Sequence, residues 1–301
     1  MRAKLLLLIA SALYIISAGC DSSHPVITDE AAYVKSVEKW QHARIERLKS
    51  ETGWLNLAGL FWLEEGGNRF GSDPSNDIVF PEKANGFCGV ITLKEGKVTL
   101  DVKEGVEITS GNQPVDNLEL RDDHSKPTTQ LQQGDLSWYI IKRGDKYGIR
   151  LRDYNHPRIE TLDHMPSYPV NTDWVVEATL ELFDEPKTIT VATPVEGFTE
   201  SYKCPGELHF KVNRKKLALH PFASGKGYFL VFADETTGIE TYGAGRFIYT
   251  TPDSTGRIIL DFNKAYNPPC AFSPFATCPM PPRENFLDVT IEAGEKSVHL
   301  K

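Results

Sequence analysis

A long series of short apolar stretches, separated by turn residues, constrains the fold of this chain most strongly. Members in the first half lie at residues 88–93, 97–102, 105–109, 136–142 and 147–152. Members in the second half lie at residues 174–183, 188–192, 207–212, 228–233, 246–249 and 257–262. Glycine-containing joints such as Gly144-Asp145 are typical of β-hairpins. Helical periodicity is almost absent from these stretches, so the sequence predicts a mainly β protein built from antiparallel sheets.

One helix is predicted ahead of the strands, over residues 28–50. Tyr33, Val37, Trp40 and Leu48 recur there at near-helical spacing, and Thr28 or Asp29 can cap the first turn. The apolar residues 53–63 follow directly. They are interpreted as buried core, with a tryptophan binding platform as the alternative.

The first twenty residues have the pattern of an export signal. Two basic residues precede an apolar run at 5–16, and small residues stand directly before Cys20. The run is shorter than the roughly 20 residues of a membrane-spanning helix. Small residues before a cysteine resemble the lipobox of bacterial lipoproteins, which implies cleavage before Cys20 and lipid on its sulfur. The expected location is therefore the cell envelope, anchored to a membrane surface, and the alternative is an ordinary secreted protein.

Four further cysteines remain once Cys20 is assigned to lipid. An even number of thiols in an oxidising compartment indicates disulfides. Cys270 and Cys278 are close in sequence and lie beside prolines, so a bridge between them is predicted, while the pairing of Cys88 and Cys204 stays open. Zinc is disfavoured because no clustered Cys/His motif is present. No metal or cofactor is predicted.

Net charge and motifs exclude several classes of function. A formal charge of −8 disfavours nucleic acid or an anionic lipid surface as the main partner. The G-x-S-x-G elbow, the H-E-x-x-H zinc motif, the P-loop and the dinucleotide glycine fingerprint are all missing. Calcium binding through Asp261, Asn263 and Asn267 is disfavoured because no glutamate follows at the expected position.

A candidate site is predicted where polar residues stand next to glycine, proline or aromatic residues, within 234–285. Its members are Asp234, Glu240, Tyr242, Arg246, Asp261, Asn263, Tyr266, Asn267 and Glu284. In a structural interpretation, Arg246 pairs with Asp234, Glu240 or Asp261, because buried charges need partners. In a functional interpretation, Arg246 holds an anionic or carbonyl oxygen and Asp261 or Glu240 acts as general acid or base. Asn263 and Asn267 would then orient the ligand.

The chain divides into four predicted parts. A proline-punctuated stretch at 156–169 marks the boundary between its two β halves. The parts are a signal peptide at 1–19, a lipid-anchor segment with the helix and apolar lead-in at 20–65, a β-sandwich at 66–160, and a C-terminal β domain with the candidate site at 161–301.

Four motifs resemble a known family. They are GWL at 53–55 continuing to NRFGSDP at 68–74, GIRLRD at 148–153, ETYGAGRF at 240–247, and DFNKAYNPPCAF at 261–272. Together they are similar to the bacterial DUF1684 family, a group without an assigned activity. The resemblance spans nearly the whole mature chain and implies no particular chemistry.

A second resemblance concerns the first sandwich. The stretch FGSDPSNDIVF at 70–80 resembles the opening of a forkhead-associated (FHA) domain, a β-sandwich that binds phosphothreonine peptides. Ser72 stands where that family has arginine, and no Ser-x-x-His element follows within residues 82–89. The resemblance therefore implies the sandwich and not the phosphopeptide site, since a fold does not carry its function with it.

Two functional hypotheses follow. The first is a lipoprotein that binds a small polar ligand or an envelope partner protein in a cleft of the C-terminal β domain. The second is an envelope hydrolase that uses Arg246, Asp261 and Glu240 on a small polar or carbohydrate substrate.

Overall fold

The computed structural model describes residues 26–298. The predicted signal peptide and Cys20 lie outside the described residues. Helix α1 spans Glu30–Lys49, and Asp29 caps it by accepting a hydrogen bond from the backbone N–H of Ala32 at 2.9 Å. Tyr33, Val37, Ile45 and Leu48 form its buried face. The predicted helix is confirmed. Within the described residues, no helix is long and apolar enough to cross a membrane.

Eleven strands make up the first half of the described chain. They are β1 Leu57–Trp62, β2 Gly66–Gly71, β3 Ile78–Val79, β4 Gly89–Lys94, β5 Lys97–Val102, β6 Thr109–Ser110, β7 Gln113–Pro114, β8 Asn117–Leu120, β9 Leu131–Gln133, β10 Leu136–Arg143 and β11 Lys146–Asp153. One sheet has the order β1-β11-β10-β9-β6-β7 and the other β3-β2-β4-β5-β8. All pairs are antiparallel except β2 with β3.

The two sheets of this half enclose one apolar core. Trp138 on β10 is fully buried, and it meets Phe70 and Phe80 edge-on at centroid distances of 6.0 and 5.3 Å. Such tilted aromatic contacts add to the stabilisation from burial itself. The apolar lead-in supplies β1, which pairs with β11. The sandwich therefore begins at Leu57 and not at residue 66, because burial of the lead-in is achieved within the sheet.

The short helix α2, Arg158–Thr161, separates the strands of the first half from those of the second. The strands of the second half are β12 Val175–Ala192, β13 Thr199–Val212, β14 Lys215–Leu219, β15 Phe222–Ser224, β16 Gly227–Phe232, β17 Arg246–Thr250 and β18 Ile258–Asp261. They form two antiparallel sheets with the orders β14-β13-β12-β18 and β15-β16-β17. The chain is mainly β with antiparallel sheets, as predicted.

Two segments join the halves. Helix α1 packs on the second half, where the hydroxyl of Tyr33 donates to Asp261 at 2.6 Å. The loop Cys270–Cys278 lies against the first half, and Thr277 accepts hydrogen bonds from Arg143 and Arg150 at 3.3 and 3.4 Å. The described part of the predicted segment 20–65, residues 26–65, thus contacts both halves.

Candidate functional site

Arg246 is the centre of a sealed ion pair. Its guanidinium donates to Asp234 at 2.8 Å, and both side chains are 0% exposed. The same guanidinium also donates to the carbonyls of Ile291 and Ala293, and the backbone N–H of Thr236 donates to the Asp234 carboxylate at 2.9 Å. A side chain without exposed surface cannot contact a ligand from solvent. The structure therefore supports the structural interpretation for Arg246 and Asp234, and corrects their assignment to a ligand site.

Asp261 and Asn263 hold helix α1 to the second half. Asp261 accepts from the Tyr33 hydroxyl and forms an ion pair with Lys264 at 2.9 Å. The Asn263 amide donates to the same hydroxyl at 2.9 Å and to the carbonyl of Asn171 at 2.8 Å. Burial and the neighbouring Asp261 carboxylate raise the pKa of Tyr33 well above its usual range. Asn263 is buried and fully engaged, so its predicted ligand-orienting role is also corrected.

Asn267 and Tyr266 belong to a second buried pair. The carboxylate of Glu295 accepts from the Arg44 guanidinium and from the backbone N–H of Asn267, the latter at 2.6 Å. Arg44 also lies over the Tyr266 ring at 4.6 Å from its centroid. The Asn267 side-chain amide donates to the Lys296 carbonyl at 2.8 Å and has no exposed surface. These contacts make Asn267 a packing residue and not a ligand contact.

The remaining predicted residues are scattered. Glu240 is exposed and pairs with Lys296 at 2.8 Å, and this hydrogen bond lowers the pKa of the carboxyl. Tyr242 is half-buried, and burial raises the pKa of its hydroxyl. Glu284 is exposed on a short 3-10 helix. Arg246, Asp261 and Glu240 contact three different sets of partners, so the structure offers no shared cavity in which they could act together.

A cleft lies instead between the two halves. It has a volume of about 390 Å³, within the range of small-ligand pockets. Its walls come from β1, the start of β11, the turn after β12 and the tip of the Cys270–Cys278 loop. The lining residues are Leu60, Trp62, Lys146, Pro194, Val195, Glu196, Pro274, Phe275 and Ala276. We call this space the Trp62 cleft.

The Trp62 cleft is lined by apolar side chains together with the charged residues Lys146 and Glu196. Gly148 on β11 is paired with Trp62 on the neighbouring strand β1. A Cβ atom at residue 148 would lie 2.9 Å from the indole ring of Trp62. Glycine is therefore required for this ring position. Lys146 is exposed, and its ammonium group donates to the backbone carbonyl of Glu196 at 3.4 Å. The ammonium thus lies at the cleft without a carboxylate ion pair among the described residues.

Two buried arginines, Arg150 and Arg152, lie on the face of β11 that the Cys270–Cys278 loop contacts through Thr277. Side chains alternate along β11, so Ile149 and Leu151 enter the sandwich core while Arg150 and Arg152 lie on the opposite face of the strand. Both guanidiniums lie near the Trp54 ring, at 5.8 and 5.9 Å from its centroid. Arg152 donates to the carbonyl of Gly53 and to Asn56. Arg150 is 4% exposed, its Nε has no partner, and no ion pair joins it to a described carboxylate.

Cys270 and Cys278 lie side by side above Arg150, but as thiols and not as the predicted disulfide. The backbone N–H of Cys270 donates to the Cys278 sulfur at 3.2 Å, and the N–H of Cys278 donates to the Cys270 sulfur at 3.4 Å. These reciprocal hydrogen bonds hold the two sulfurs together without a covalent bond. The two cysteines are neighbours, as a bridge between them requires, and the disulfide itself stays a prediction. Cys88 and Cys204 are free and fully buried in separate places.

No metal centre is apparent among residues 26–298, where no group of three or more His, Cys, Asp or Glu side chains is placed to hold an ion. Sequence reasoning missed Lys146, Arg150 and the cleft. The alternation of charged and apolar residues in GIRLRD signals that two arginines share one face of β11. Nothing in the sequence shows that this face is covered by the Cys270–Cys278 loop.

Comparison with known proteins gives a family without an assigned function. The profile described as "Protein of unknown function (DUF1684)" matches residues 160–296. An uncharacterized protein of Haloarcula marismortui, solved by NMR, is 32% identical; the alignment covers 46% of this chain and 78% of that chain, with a TM-score of 0.38. A search of curated proteins found no match.

Two FHA domains are also among the similar solved structures. The FHA domain of FhaA, solved in complex with the intracellular domain of another protein, is 18% identical and covers 31% of this chain and 97% of its own, with a TM-score of 0.20. A second, from a study of phosphothreonine-dependent FHA interactions, has the same identity, the same share of this chain and the same TM-score, with 92% of its own length covered.

Proposed function

This chain belongs to the DUF1684 family, and we propose that it is a cell-envelope lipoprotein that binds a small amphipathic anion in the Trp62 cleft. The observation that carries the proposal is the cleft itself, which combines the apolar side chains of Leu60, Trp62 and Phe275 with the Lys146 ammonium. Relative to the sequence-based hypothesis, the ligand moves from the C-terminal domain to the space between the two halves.

The chemistry of the lining selects the ligand class. Leu60, Trp62 and Phe275 offer apolar contact to a short hydrocarbon or aromatic group. Ligand sites commonly combine such apolar contacts with a few polar groups that fix orientation. The Lys146 ammonium lines the cleft without a carboxylate partner among the described residues, so it can attract a carboxylate or phosphate. A molecule with one apolar end and one anionic end matches both features.

Octanoate is a suitable probe for this proposal. We expect the purified chain to bind octanoate, with the uncharged analogue octan-1-ol binding more weakly. Replacing Lys146 with methionine keeps the apolar stem and removes the charge, so octanoate should bind about fivefold more weakly, the equivalent of about 1 kcal/mol for a solvent-exposed ion pair. Isothermal titration calorimetry measures both affinities.

Lys97→Met is the matched control, because Lys97 pairs with Glu119 on the other sheet of the sandwich. Its octanoate affinity should equal that of the wild type. Equal affinities in the Lys146 and Lys97 variants, or no measurable octanoate binding by the wild type, would contradict the proposed ligand.

The envelope location rests on residues 1–20. A basic start, an apolar run and small residues before Cys20 support export, cleavage and lipid attachment. Stable attachment to a membrane needs two acyl chains or more. In an oxidising envelope the Cys270–Cys278 pair would also close to the predicted disulfide.

Metabolic labelling with radioactive palmitate tests the anchor. In bacterial cells that produce the full chain, we expect label on the wild-type protein and none on Cys20→Ala. An unlabelled wild type, or equal label on the variant, would show that the chain is not lipidated at this cysteine.

A further inference from the structure

We propose that Cys270 and Cys278 form a thiol–disulfide exchange site, in which Cys270 attacks a substrate disulfide and Cys278 resolves the mixed disulfide. This activity is separate from anion binding in the Trp62 cleft and does not depend on it. Three observations carry the proposal: the position of the two sulfurs, their unequal exposure, and the unpaired guanidinium of Arg150.

The loop geometry prepares both sulfurs for bond formation. Cys270 lies in the short 3-10 helix Pro269–Ala271, and the chain returns to it at Cys278. The backbone N–H of Cys270 donates to the sulfur of Cys278 at 3.2 Å, and the backbone N–H of Cys278 donates to the sulfur of Cys270 at 3.4 Å. Such reciprocal contacts keep two reduced thiols as neighbours, so closing the disulfide does not require a large rearrangement of the loop.

The two sulfurs are not equivalent. Cys278 is 7% exposed and packs among apolar residues of the second half, whereas Cys270 is only half-buried. A hydrogen bond from the Cys278 thiol, reinforced by the Cys278 backbone N–H and by Arg150, lowers the pKa of Cys270. Burial raises the pKa of Cys278. The thiolate is the attacking species, so the more exposed Cys270 is the first sulfur to react.

Arg150 supplies positive charge to this pair. Arg150 is 4% exposed, and a buried guanidinium needs a counter-charge. The only hydrogen bond of the Arg150 guanidinium among the described residues is to Thr277, the residue directly before Cys278. Its positive charge favours the thiolate of Cys270. Arg150 is therefore a positioning residue for the thiolate, and the thiolate is the anion that Arg150 otherwise lacks.

The exchange proceeds in two balanced steps. The Cys270 thiolate attacks one sulfur of a disulfide R–S–S–R, forms Cys270–S–S–R and releases one R–S⁻. Cys278 loses its proton to the released thiolate, attacks the Cys270 sulfur and releases the second R–S⁻, which takes up a proton from solvent. The protein pair loses two electrons, and the substrate disulfide gains them. Reduction of the protein disulfide by a dithiol reverses both steps.

Cys88 and Cys204 are internal controls within the same chain. Both are fully buried, and burial raises the pKa of each thiol. Their thiols could undergo the same exchange reaction, but they have no surface exposed to a substrate. They should therefore remain unreactive while the protein is folded.

Oxidised glutathione tests the proposal on the reduced full chain, with peptide mapping by mass spectrometry to locate every modified cysteine. The wild type should form the Cys270–Cys278 disulfide and release two glutathione molecules per chain. Cys278→Ser should trap one glutathione on Cys270. Cys270→Ser should react at Cys278 at least about tenfold more slowly, because the remaining thiol is buried and protonated.

A wild-type measurement avoids any dependence on folding of the variants. In brief pulses of iodoacetamide at pH 7, Cys270 should be alkylated at least about tenfold faster than Cys278, Cys88 or Cys204. Arg150→Met should shift the pH midpoint of Cys270 alkylation upward, and Arg150→Lys should restore part of the shift. Each unit of upward shift lowers the rate about tenfold at pH values below the midpoint.

Three results would overturn the assignment. The first is a wild-type pair that stays reduced in excess oxidised glutathione. The second is a Cys270 thiol as slow as Cys204 in the alkylation pulses. The third is a midpoint that does not move in Arg150→Met while the thermal melt of that variant matches the wild type.

Discussion

Replacing Arg246 with methionine is expected to lower the free energy of unfolding by about 3–5 kcal/mol, as measured by urea denaturation. The change leaves the fully buried Asp234 side chain without its cation. It also removes the donors to the carbonyls of Ile291 and Ala293, which tie the last segment to β17. Unpaired buried charge is among the largest single-site penalties in proteins.

Arg257→Met is the matched control, since Arg257 pairs with Asp253 at 2.9 Å on an exposed turn. Its effect should not exceed about 1 kcal/mol. Arg246→Lys separates the structural from the functional interpretation, because lysine keeps the charge but loses the forked donors. Substantial destabilisation in this variant supports the structural interpretation. Unchanged stability with lost ligand binding would instead return Arg246 to the binding site.

Replacing Glu295 with alanine is expected to cost about 3 kcal/mol of unfolding free energy. Glu295 is 1% exposed and is the only described carboxylate that forms an ion pair with Arg44 of helix α1. Its loss also leaves the backbone N–H of Asn267 without an acceptor. Because α1 docks through this contact, its amide protons should exchange faster with solvent in the variant, which hydrogen-exchange mass spectrometry measures.

Glu295→Gln and Glu119→Ala complete the comparison. Glutamine retains an acceptor for Asn267 and should destabilise less than alanine does, while Glu119 belongs to an exposed pair and should have little effect. Burial raises the pKa of Glu295. Because the raised pKa makes the folded chain hold this proton to higher pH than the unfolded chain does, stability falls as pH rises from the unfolded pKa through the folded pKa, and the ion pair with Arg44 offsets only part of the burial cost of the charged form. Glu295→Gln should therefore flatten the pH dependence of stability; an unchanged profile would contradict this role.

For the polar residues within 234–285, the sequence predicts burial and charge pairing but not the partner of each charge. Next to glycine and aromatic residues, charged side chains were expected to be buried and paired, and Arg246 with Asp234 satisfies that expectation. Three carboxylates were possible partners in the sequence. The choice of Asp234 depends on where β16 ends and where the last segment returns, which are long-range contacts. Local pattern carries no information about either.

In the Cys270–Cys278 loop, the sequence indicates proximity of the two cysteines, whereas packing sets their exposure. Proximity of Cys270 and Cys278 follows from their spacing and the neighbouring prolines, and the structure places them together. Their unequal exposure and the guanidinium beneath them come from packing against β11 of the first half. These tertiary contacts change the interpretation from an inert bridge to a reactive pair.

The sequence by itself determined the mainly β class and the position of helix α1, because each depends on the order of apolar and polar residues over a few turns or strands. Only the tertiary structure decided which half α1 packs on, which acid pairs with Arg246, and that a cleft opens beside Trp62. Those outcomes depend on contacts between residues far apart in the chain. Their energies are set by burial and charge pairing in the assembled protein, and so they have no signature in local periodicity.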